Sequence, residues 1–157
     1  MDAKVLAAIN MHSILRNMED LLELDASSRE ILSKKDIGIC FNLPGQDKLY
    51  MSFSDGHCVA NRDPVKTRIN LYFPNALTFN GMVDGTKNPI PTRGLTKIRF
   101  MTKTFKSLAD RLTYYLKPTE ESLKDQETRY ISTMLTCYAV FYALSEIGNT
   151  DPQGIAC

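Results

Sequence analysis

The chain has 157 residues, of which 43% are hydrophobic and 24% charged, and a formal net charge of +1. A chain of this length can bury roughly 70% of its unfolded surface, so one domain over residues 1–157 is expected without disulfide or metal staples. The balanced charge excludes a strongly basic nucleic-acid surface and a disordered polyelectrolyte.

The four cysteines, Cys40, Cys58, Cys137 and Cys157, show no Cys-x-x-Cys spacing. Reduced thiols and a cytoplasmic location are the expectation. The start of the chain is acidic at Asp2 and lacks the basic-then-apolar pattern of a signal peptide. The longest run free of charged and strongly polar residues, Cys137 to Leu144, falls far short of the ~20 residues that span a bilayer.

Taken in order, residues from about Asp2 to Glu23 read as a helix. Leu15, Met18 and Leu22 form one row, with Arg16, Glu19, Asp20 and Glu23 on the other side. Asp25-Ala-Ser-Ser breaks it, and a short helical piece to Leu32 follows. Ile37, Ile39, Phe41 and Leu43 then alternate with Gly38, Cys40 and Asn42, as in a half-buried strand. Pro44-Gly45 turns the chain into a second strand carrying Leu49, Met51 and Phe53. Asp55-Gly56 is a tight hairpin turn, and His57 to Asn61 a third strand. After Arg62-Asp63-Pro64 the run Val65, Thr67, Ile69, Leu71, Phe73 predicts a fourth strand whose polar side carries Lys66 and Arg68. Asn75 to Met82 is a short helix, and Gly85 to Gly94 a proline-containing loop.

The stretch Gly94 to Leu116 changes period. Thr96, Ile98 and Phe100 alternate with Lys97, Arg99 and Met101, which predicts a fifth strand. Phe105, Leu108, Ala109, Leu112, Tyr115 and Leu116 recur at helical spacing. Pro118 ends that helix. A last long helix is predicted from about Gln126 to Ile147, capped at Gly148 and Asn149, with residues 150–157 as a tail. The fold class expected is α+β: a mainly antiparallel five-stranded sheet with helices covering one face.

Gly94, Ile98, Leu108, Ala109 and Leu112 match a strand-then-helix unit of sterol-carrier-type lipid-transfer domains, and the element order over residues 3 to 147 resembles that family. The resemblance implies a non-catalytic lipid binder with a tunnel between sheet and C-terminal helices. One wall would be Ile98, Phe100, Phe105, Leu108 and Leu112, and the rest Ile69, Leu71, Met134, Cys137 and Phe141. It implies an apolar lipid partner, fatty acyl or sterol/isoprenoid-like, with transient contact to a membrane surface and a monomer or homodimer. It implies neither a cofactor nor a nucleic-acid partner.

Other chemistry is weaker. His57 and Cys58 are adjacent strand residues and point to opposite faces, so they do not form a nucleophile–base pair. His12 has no metal-binding companion on its helix and is expected to face solvent. Lys66, Arg68, Lys97 and Arg99 are expected on an exposed sheet face. The final helix has two adjacent apolar rows. Tyr130, Met134, Cys137, Phe141 and Leu144 form one, and Ile131, Leu135, Tyr138 and Tyr142 the other. A wide face of this kind serves as core, or lines a lipid cavity, or mediates a homodimer in an interaction module without lipid. A thioester enzyme of the hot-dog type would place its long helix among the strands, unlike the order read here.

Overall fold

The computed structural model describes residues 2–86 and 95–150. Gly94, expected to begin the fifth strand, most of the proline-containing loop and the tail from residue 151 lie outside the described residues.

The fold is α+β, with a four-stranded mixed sheet in the order β3-β2-β1-β4. The N-terminal helical stretch comprises α1 (Ala3–Ile9), a π-helical segment (Asn10–Leu15) and α2 (Met18–Leu24). Helix α3 (Ala26–Leu32) follows. The strands are β1 (Ile37–Asn42), β2 (Leu49–Ser54), β3 (His57–Asn61) and β4 (Ile69–Tyr72). Then come α4 (Ala76–Val83), α5 (Leu95–Arg99), a second π-helical segment (Phe100–Phe105) and α6 (Lys106–Leu116). A 3₁₀ turn (Ser122–Lys124) leads into α7 (Gln126–Thr150).

The hairpin β1–β2–β3 is antiparallel, as its turns require. Asp55 and Gly56 both take positive φ, 52° and 78°, the conformation of a type I′ turn, which glycine adopts without a side-chain clash. The register stacks Ile39 between Ile69 and Met51, and Phe41 between Leu71 and Leu49. One face of the sheet is therefore apolar and buried, while Asn70 and Tyr72 on the other face are exposed. Phe53 packs on Phe100 at 5.7 Å and Phe41 on Phe105 at 5.9 Å between ring centroids. These contacts press the second π-helical segment against the sheet.

Four expectations are corrected. β4 covers Ile69–Tyr72 only, and it runs parallel to β1. The residues before it pass over the outer face at Gly38, where a Cβ would lie 2.6 Å from the Lys66 carbonyl oxygen. The alternation from Val65 to Thr67 thus belongs to a crossing segment. The predicted fifth strand is helix α5 instead. Ile98, Met101, Phe105, Leu108 and Leu112 recur at three and four, so one helical stripe runs through the whole stretch and outlasts the short alternation. The four cations consequently form no row on a strand face: Lys97 and Arg99 belong to α5, and Lys66 and Arg68 precede β4. α7 also runs through Gly148 and Asn149 to Thr150, past the expected cap.

Candidate functional site

A cleft of about 870 Å³, partly open to solvent, lies between the helices. Its walls come from four places. Leu6 and Ile9 of α1 and Ser13, Ile14 and Leu15 of the first π-helical segment form one side. Met101 and Phe105 of the second π-helical segment, with Ala109, Leu112 and Leu116 of α6, form the opposite side. Met82 and Val83 close one end, and Ala139, Val140 and Ala143 of α7 contribute another wall. The lining is mostly aliphatic and methionine, a combination that adapts to ligands of varied shape.

Each long wall includes a π-helical segment that meets the cleft. A π turn takes an extra residue, so side-chain rows shift and neighbouring helices cannot interdigitate flush; such turns recur at functional sites. In the second segment the Lys106 N–H donates to the Met101 carbonyl, five residues back. Thr102 donates its hydroxyl to the Ile98 carbonyl at 2.8 Å, a side-chain bond that bends helices.

The polar groups of the cleft are mostly tied down. Asn10 donates to Asn80 at 3.0 Å, and Asn80 in turn donates to the Ala3 carbonyl at 3.1 Å. Ser13 donates to the Ala139 carbonyl at 2.6 Å. Lys106 pairs with Asp110 at 3.1 Å, and Lys117 lies close enough to Asp84 to help lower its carboxyl pKa, behind the hydrogen bonds from Thr86. Two lysines and two aspartates thus give these cleft-lining residues no net charge.

Two polar clusters fix the frame around the cleft. Arg111 donates to both carboxylate oxygens of Asp25 at 3.0 Å, and Ser28 and Tyr115 donate to the same carboxylate at 2.6 and 3.1 Å. Burial alone would push the Asp25 carboxyl up. The hydrogen bonds from Arg111, Ser28 and Tyr115, with the guanidinium charge, outweigh it and hold the group below its ordinary value. Burial, with the Asp25 charge beside it, raises the Tyr115 hydroxyl to about 12.

The second cluster corrects the expectation for His12, which is only 2% exposed. Its Nε2–H donates to the Asp47 carbonyl at 3.0 Å. Arg62 bridges the carboxylates of Asp47 and Glu146. Burial lowers the His12 imidazole pKa, helped by Arg62 and opposed by Glu146 and Asp47. The cluster joins the first π-helical segment, the sheet edge and the end of α7.

Of the ten residues expected to line a lipid site, two reach the cleft. Phe105 and Leu112 line the cleft. Ile69, Leu71, Phe100 and Leu108 are buried in the closed core. Ile98 is half-buried on α5 and does not line the cleft. Met134 is half-buried, Cys137 is exposed and Phe141 is 69% exposed, all outside the lining. The observed space lies between helices, not between the sheet and the C-terminal helices. Sequence reasoning missed the wall of Leu6, Ile9, Ile14, Met82 and Val83. The apolar spacing of the first helix was visible, but its excess width over the core was not.

His57 faces solvent and pairs with Glu23 at 2.7 Å, while Cys58 is buried and its thiol pKa is raised by burial. Cys40 is likewise buried and raised. Among the described residues no group of three His, Cys, Asp or Glu side chains is placed to hold a metal ion. Among the described residues one helix, α7 from Gln126 to Gly148, is long and apolar enough to cross a membrane by length and composition. No protein-family model, no curated protein and no solved structure matches this chain.

Proposed function

We propose that the chain is a non-catalytic binder of an apolar lipid, a fatty acyl or isoprenoid-like chain held in the cleft between the two π-helical segments. The observation that carries the reading is the cleft itself: about 870 Å³ of mainly apolar lining, within the range of ~300–1,000 Å³ typical of small-molecule sites. An ordinary core of this composition would close such a gap, because interiors pack to crystal-like density. The strand-then-helix unit behind the resemblance to sterol-carrier-type domains is helical from Leu95 to Leu116, so the reading rests on the cleft.

Apolar burial supplies the affinity. Each methylene withdrawn from water contributes about 0.8 kcal/mol, and association costs ~4–15 kcal/mol. A short chain therefore binds barely, and a long one binds well. The test is a displacement titration of a fluorescent acyl probe with saturated fatty acids of increasing length, alongside native mass spectrometry of freshly purified protein. Affinity is expected to rise about threefold to fourfold per methylene until the cleft is full. Ala109→Trp and Ala143→Trp, which fill the cleft and remove no core side chain, should abolish uptake while keeping the wild-type unfolding midpoint. Failure of the wild-type protein to take up any probe, or unchanged uptake in both filled variants, contradicts the proposal.

A further inference from the structure

Helix α7 presents its larger apolar side chains outward. The side packed on the rest of the fold carries Thr128, Ser132, Ala139 and Glu146 beside Ile131 and Leu135, all buried. Hydrogen bonds hold that side: Asn17 donates to the Leu135 carbonyl at 3.0 Å, and Ser132 donates to the Tyr115 carbonyl at 2.6 Å. The opposite side carries Tyr130, Phe141 and Leu144, exposed by 59%, 69% and 54%. Met134 and Cys137 complete that row. The five positions are spaced four, three, four and three residues apart, the a/d repeat of a helix seam that receives another helix.

From this geometry we infer that the outward row of α7 is a homodimer interface, in which the row packs against the same row of a second copy. Three observations choose this occupant. The row is apolar along its length, so the same residues on a second copy can meet it, as a two-fold contact requires. The exposed area of Tyr130, Tyr138, Phe141 and Leu144 is on the order of 450 Å² per protomer, over half of the ~800 Å² per partner of a standard interface. No charged residue occurs from Tyr130 to Ser145, and the N-terminal flank holds one Glu127 and one Arg129. A helix resting on a lipid surface draws instead on a surplus of flanking cations. Insertion across a bilayer would break the hydrogen bonds that fasten α7 to Asn17 and Tyr115.

Cys137 is the middle position of the five. In a two-fold contact centred on the row, Cys137 faces its own copy whether the helices run parallel or antiparallel. The test uses the full chain carrying Cys157→Ser. Sedimentation equilibrium should give twice the chain mass, and a short bismaleimide should yield a covalent dimer that disappears with Cys137→Ser. Phe141→Lys, an exposed position, should weaken the dimer roughly 30-fold with an unchanged unfolding midpoint. A monomer at every concentration with no cross-link overturns the inference. So does co-sedimentation of the monomer with neutral phosphatidylcholine vesicles that is lost in Phe141→Lys, which would assign the row to a membrane. Acyl-probe uptake reads the cleft separately, so failure of either proposal is visible without the other.

Discussion

Arg111 reaches from α6 to Asp25 at the start of α3 and bonds both carboxylate oxygens at 3.0 Å. The Asp25 side chain is 6% exposed and that of Arg111 31%, so this is a largely buried, bidentate pair. Removing one partner of such a pair leaves the other charge uncompensated. Asp25→Asn should lower unfolding free energy by about 3 kcal/mol, measured by urea titration. The Asp25 pKa is lower in the folded chain than in the unfolded one. Its contribution is therefore complete above about pH 4 and is lost as pH falls through the folded value. The variant should show a flatter acid limb of stability against pH than the wild type; an unchanged limb would assign acid sensitivity to other groups. None of this was legible in the sequence, because Asp25 and Arg111 are 86 positions apart and each reads alone as a surface charge. His12 was hidden for the same reason, its neighbours Asp47, Arg62 and Glu146 coming from the β1–β2 connection, the end of β3 and α7.

The elements that could be read were those whose pattern lasts longer than one turn or one pleat. The hairpin of β1 and β2, the turn at Asp55-Gly56, the short α3 and the long α7 all carry enough repeats to fix their type. α5 failed because five residues satisfy a period of two and a period of 3.6 together. β4 was overdrawn because alternation cannot report that Lys66 and Thr67 cross the sheet at Gly38. That crossing makes a prediction: Gly38→Ala puts a methyl 2.6 Å from the Lys66 carbonyl oxygen, where backbone must move. The expected loss is about 1–3 kcal/mol, read from the urea midpoint. A neutral outcome would mean that the crossing segment yields freely. In α7 both apolar rows were legible, but not which one faces inward. Ser132 and Thr128 decide that, since they lie on the packed side with Ile131 and Leu135 and turn the row of Tyr130 and Phe141 to solvent.

The whole molecule is a sheet covered on one face by helices, and the functional question concerns where those helices fail to meet. A cleft is a difference between packed volume and available volume, and a pattern of apolar residues is the same whether the gap is closed or open. Phe105 and Leu112 are apolar helix-face residues that line the cleft, while Ile69 and Leu71 lie on the sheet in the closed core. Both long walls of the gap include a π-helical segment, and hydrogen-bond register of that kind leaves no mark in composition.

The most direct measurement uses the methionines as reporters. In protein carrying isotope-labelled methionine methyl groups, a nitroxide-labelled stearate is added and line broadening is recorded by NMR, with assignments from single Met→Leu variants. Met18, Met82 and Met101 line the cleft, whereas Met51 lies in the closed core and Met134 on the outer side of α7. The cleft reading predicts broadening of Met18, Met82 and Met101 that saturates with added lipid and is reversed by unlabelled stearate. Broadening centred on Met134, or none at any methionine, would contradict it.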